Sequence, residues 1–121
     1  MMRLGDWLGA LFLCAGLSLP ATAAECLMPA PAPPMPKGAT ASAAEMASAK
    51  AVIQDFVNKL QNYQICLETE IKNAPADTTK ELKIAWRAQG NAAIDEAQAL
   101  AADFAAQLKL FKSRASASPA P

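Results

Sequence analysis

Apolar and polar positions recur along this chain in two long helical rhythms, separated by a short break and preceded by a proline-rich stretch. Between Thr40 and Lys72, Met46, Ala49, Ile53, Phe56, Leu60, Tyr63 and Leu67 follow one another in steps of three and four. That spacing lays an apolar seam along one side of a helix, close to a heptad pattern. Ser42-Ala43-Ala44-Glu45 fits a capping box at its start, with Thr40 as an alternative cap. Pro75 excludes helical backbone at the residue before it, so the first helix ends at or before Ala74. Thr78-Thr79-Lys80-Glu81 offers a second capping box. Beyond it, Leu82, Trp86, Ala93, Ala97, Leu100, Phe104, Leu108 and Phe111 share a face up to about Ser113. Gly90 interrupts that face. Glycine costs about 1 kcal/mol relative to alanine inside a helix, so either the helix bends there or a neighbour packs close to its backbone.

The pattern predicts an all-α fold: a long antiparallel two-helix hairpin over residues 40–113, with helices at about 40–73 and 78–113. A turn centred on Pro75 sets Phe56 near Asp95, Leu60 near Asn91, Tyr63 near Ala88 and Met46 near Phe104. Residues 25–39 form an N-terminal polyproline arm, because Pro29, Pro31, Pro33, Pro34 and Pro36 exclude helix. Residues 114–121 are small, polar and proline-bearing, and read as a disordered tail.

The beginning of the chain follows another logic. Arg3 precedes an uncharged run from Leu8 to Leu19, which Pro20 breaks before the small residues Ala21 to Ala24. This is the three-part layout of a signal peptide over residues 1–24, with cleavage after Ala24 or Ala23. A membrane anchor is the rival reading. The twelve residues from Leu8 to Leu19 span about 18 Å as a helix, short of the ~30 Å hydrocarbon core, so no stable insertion is expected after leader cleavage. A lipidated cysteine fits poorly, since Leu13 precedes Cys14 and Glu25 precedes Cys26. The expected location is an exported compartment, most simply a bacterial periplasm.

Removing the leader changes the cysteine arithmetic. Cys14 leaves, and Cys26 and Cys66 remain. An even count in an oxidising compartment reads as one structural disulfide, and the separation lacks the CxxC spacing of a reactive pair. Geometry permits the bond. Residues 40 to 66 rise about 39 Å as a helix, and residues 26 to 40 reach about 43 Å as polyproline. The arm can therefore run back along the first helix and be stapled near that helix's end.

Composition limits the core and the chemistry. The 97 residues after the leader include 24 alanines, which favour helix but bury little area. A bare two-helix hairpin of this size is marginal, so the arm, the disulfide or a second copy must add buried surface. Leu108, Leu110, Phe111, Val52 and Val57 are candidates for a homodimer contact. The chain has no histidine and a formal net charge of zero. The first fact excludes histidine-based triads and imidazole metal sites. The second gives no basic surface for nucleic acid.

Two groups of residues remain as candidate sites. Asn91 and Asp95 lie one turn apart, and Asp55 of the first helix reaches their expected level. They could bind a small ligand or a cation, or Asn91 could fix the hairpin register against Tyr63 or Gln64. The commoner role for Asp55, Asp95, Glu96 and Asp103 is a solvated face paired with Lys50, Lys59 and Arg87. Met28, Met35 and Met46 make a thin thioether set for copper, and core filling is the simpler reading. No metal site, cofactor or catalytic residue is assigned. Trp86 and Tyr63 are expected to pack on the proline arm, since aromatic rings stack well on proline.

Taken together, the Pro-rich start with Cys26, the run GATASAAEMASAK at 38–50, YQICLE at 63–68 and GNAAIDEAQALAADFAAQLKLFK at 90–112 resemble a family of small exported bacterial proteins of uncharacterised function. The resemblance implies a cell-envelope location and supports the hairpin. It carries no activity, cofactor or site. The expected function is a non-enzymatic exported structural or protein-interaction module. The alternatives are a small-ligand or metal-binding periplasmic protein and a holdase-type chaperone.

Overall fold

The computed structural model describes residues 26–29 and 31–117. The expected leader and residues 118–121 of the expected tail lie outside them. Two helices make up the fold: α1, Ala43–Asn73, and α2, Lys80–Ala117. They pack against each other as an antiparallel hairpin, and no strand occurs among the described residues. The fold is all-α, with an N-terminal arm joined to α1 through a Cys26–Cys66 disulfide.

The start of α1 is set by local chemistry. The Ser42 hydroxyl accepts from the Glu45 amide at 3.1 Å, and the Glu45 carboxylate accepts from the Ser42 amide at 2.7 Å. Both halves of the capping box are therefore made, which satisfies two otherwise unpaired donors. Thr40 is not a cap. It closes a turn in which the amides of Thr40 and Ala41 both donate to the Lys37 carbonyl, so α1 begins at Ala43 instead of near residue 40.

The start of α2 differs from the expected box by one residue. The Leu82 amide donates to the Thr79 hydroxyl at 3.2 Å, and the Lys83 amide to the Thr79 carbonyl at 3.3 Å. Thr79 is thus the N-cap. Thr78 instead donates its amide to the Pro75 carbonyl within the connecting turn. The turn consequently centres beyond Pro75, and the register moves by about one helical turn. Gly90 faces Gln64 and Leu67, where the symmetric expectation placed Arg87 opposite Gln64. Asp95 and Asn91 therefore leave the levels of Phe56 and Leu60 that a Pro75-centred turn assigned to them.

The core is asymmetric. α1 contributes Met46, Ile53, Phe56, Leu60, Tyr63 and Leu67, all buried, while the buried positions of α2 are Gly90, Ala93 and Ala97. Large side chains on one helix lie against an almost bare backbone stripe on the other, and Leu60 is completely enclosed. Trp86, Leu100, Val57 and Cys26 close the sides of this cluster, each partly buried. Leu82, assigned to the inner face by spacing, is 44% exposed. Gly90 resolves the choice posed by its position: α2 runs through it without a break, and α1 packs on its surface.

α2 also continues past the expected end. Residues 114–117, read from composition as part of a disordered tail, are helical. Tertiary contact overrides weak local propensity there, because Arg114 is engaged with the arm. Its guanidinium donates to the carbonyls of Ala39, at 3.2 Å, and Ala41, and stacks over the Phe111 ring at 5.3 Å.

Candidate functional site

The arm is held at both ends. Its tip is Cys26, bonded to Cys66 near the C-terminal end of α1 with a Cα–Cα distance of 5.7 Å. Its base is the Lys37–Thr40 turn, pressed against the last turns of α2. Gly38 is buried, and its amide donates to the Gln107 side-chain oxygen at 2.9 Å. A Cβ at position 38 would overlap the Gln107 carbonyl and lie 3.1 Å from the Phe111 nitrogen. Only glycine lets the arm approach the helix backbone this closely. Between the two anchors, Pro29, Pro33, Met35 and Pro36 are partly buried, while Pro31, Ala32 and Pro34 face solvent. The arm thus lies along the hairpin with one edge inward, antiparallel to α1.

The tip and α1 together form a shallow concavity of about 310 Å³, lined by Cys26, Leu27, Met28, Pro29, Lys59, Asn62, Tyr63 and Cys66. Tyr63 has two roles. Its ring packs in the core beside this concavity, and its hydroxyl donates to the Gln89 side-chain oxygen of α2 at 3.2 Å. The cross-hairpin polar link expected from Asn91 is therefore made by Gln89. Trp86 closes the flank of the core and is partly buried.

One cluster with ligand chemistry gathers around the staple. The Cys26 and Cys66 sulfurs and a Glu70 carboxylate oxygen all lie within 4.8 Å of one another, each on a partly buried residue. In the disulfide form the sulfurs are bonded to each other. Cys66 and Glu70 stand four residues apart, one turn along the same helix face. The Cys-x-x-x-Glu spacing is the sequence signal for it, masked by the neighbouring charges of Glu68 and Lys72.

The residues singled out for a ligand level lie on the surface of the hairpin. Asn91, Asp95 and Asp55 are all exposed. Asp55 pairs with Lys59 on its own helix at 2.8 Å, an arrangement of i,i+4 type that contributes only tenths of a kcal/mol. On the side of the hairpin away from the arm, an open groove of about 370 Å³ runs between Lys50, Gln54 and Val57 of α1 and Ala101 and Phe104 of α2. Among the described residues no buried side-chain polar atom lacks a partner. No helix among them is long and apolar enough to cross a membrane. Comparison with protein-family models, with curated proteins and with solved structures returned no match.

Proposed function

We propose that this chain is an exported, non-enzymatic interaction module, acting in an oxidising compartment such as a bacterial periplasm. The observation that carries the reading is the set of large apolar side chains left outside a well-formed core. Val52, Ile65, Leu82, Ile84 and Leu110 are each between 44% and 56% exposed, on helices that are capped and packed. Apolar side chains exposed along both helices give a protein partner surface to bury. The Cys26–Cys66 bond supports an oxidising location, and the leader-like first 24 residues supply the route.

A holdase activity draws on the same exposed side chains and stands as the second reading. Native mass spectrometry of the protein, gently released from the cell envelope without reductant, tests the proposal. The expected species begins after Ala24 or Ala23, is lighter by the two hydrogens of a disulfide, and is accompanied by a stoichiometric protein complex. An unprocessed chain, or turnover of a substrate that one polar substitution abolishes, overturns it. Suppression of client aggregation in a light-scattering assay, with no stoichiometric complex, moves the assignment to the holdase.

A further inference from the structure

We propose that Cys26, Cys66 and Glu70 form a redox-gated site for a soft divalent cation of the Zn²⁺ or Cd²⁺ type, available once the disulfide is opened by a dithiol reductant. This site is separate from Asn91, Asp95 and Asp55, which are exposed.

Three observations support it. First, the donors are already together, with all three ligand atoms within 4.8 Å of one another. A tetrahedral zinc with sulfur at about 2.3 Å and oxygen at about 2.0–2.2 Å needs donors roughly 3.5–3.8 Å apart. Opening the bond lets the two sulfurs part toward that spacing from Cα atoms 5.7 Å apart. Second, the three residues come from two elements, α1 and the arm. Cys66 and Glu70 project from adjacent turns of α1, and Cys26 is packed against the core cluster. The base of the arm is held separately from the disulfide, through Gly38 and Arg114. Third, Glu70 forms no ion pair among the described residues. It is partly buried, and the ion pair made among the described residues is that of Lys59 with Asp55. A carboxylate set against two sulfurs repels thiolates as they form, and a divalent cation between them removes that repulsion.

The chemistry balances. The reducing dithiol gives two electrons and two protons to the Cys26–Cys66 bond and becomes a disulfide itself. Cation binding then releases the two thiol protons, leaving two thiolates and one carboxylate on the metal with a fourth position for water. Thiolates favour soft cations over Mg²⁺ or Ca²⁺.

The test uses the full chain with Cys14→Ser, so that only these two thiols are present. The protein is reduced with a phosphine, desalted without oxygen and titrated with Cd²⁺. Thiolate-to-cadmium charge-transfer absorbance and circular dichroism are read together. The expected result is saturation at one equivalent in the reduced chain with the helical signal intact, and no band in the oxidised chain. Glu70→Gln should weaken binding at least about tenfold, and Cys66→Ser should abolish saturation. The proposal is overturned by the absence of a saturable band in the reduced chain, or by helix loss that Cd²⁺ does not reverse. Equal affinity in Glu70→Gln also overturns it. That last outcome would make Glu70 an electrostatic shield of the disulfide, and Glu70→Gln would then be reduced faster by an anionic thiol.

Discussion

Two glycines answer to different neighbours, and the difference decides what alanine does at each. At Gly38 the obstruction is helix backbone, the Gln107 carbonyl and the Phe111 nitrogen, which cannot yield. Gly38→Ala should therefore destabilise the fold by about 1–3 kcal/mol, the range for forced overpacking, and should raise protease sensitivity of the arm. At Gly90 the tightest neighbour is the Gln64 Cγ at 3.3 Å, with the Gln64 Cα and Leu67 Cδ1 at 3.8 Å. A flexible side chain can give way there, and alanine gains up to about 1 kcal/mol of helix propensity. Gly90→Ala should therefore leave the melting temperature unchanged or raise it. The sequence pointed to a close neighbour at Gly90 because a helical pattern surrounds it. Nothing pointed to Gly38, since a glycine after five prolines looks like an ordinary loop. Arg114 was hidden for a similar reason: its role comes from the Ala39 and Ala41 carbonyls, more than seventy residues away in sequence.

At the scale of the elements, caps and seams were legible and their offsets were not. The steps of three and four in α1 identify its buried residues, and only Ala49 of that seam stays partly exposed. The capping box at Ser42 is as the pattern dictates. The box before α2 offered two adjacent threonines, and the hydrogen bonds select Thr79. Thr79→Ala should thus cost about 1 kcal/mol in thermal or denaturant unfolding, whereas Thr78→Ala, whose amide but not hydroxyl is used, should cost little. This one-residue shift, with the turn it lengthens, moves the hairpin register by about one turn. The levels that a symmetric turn assigned to Asn91 and Asp95 shift with it. The face read for α2 holds Ala93 and Ala97, which are buried, but also Leu82, which is 44% exposed. The inner stripe is Gly90, Ala93 and Ala97, small residues that let the bulky side chains of α1 reach the α2 backbone. Leu60, fully enclosed in that contact, should cost about 2–5 kcal/mol when replaced by alanine.

For the whole molecule, the central question is whether the arm belongs to the folded unit. Two helices whose inner stripes are this thin bury little area, and the arm supplies a third layer along one side of them. Its length was readable in advance, because a polyproline run and a helix run of matching reach join the same two points. How its base is clasped was not, because that depends on the far end of α2. The most direct measurement is thermal unfolding of the chain with the Cys26–Cys66 bond intact and after its reduction, without added metal. The bond closes a loop of 40 residues, for which chain entropy gives about 4 kcal/mol of stabilisation. A docked, stapled arm predicts a fall of roughly 10 °C or more on reduction. An unchanged melting temperature would contradict the account, since it would mean that the hairpin is stable alone and the arm is a tether rather than part of the fold.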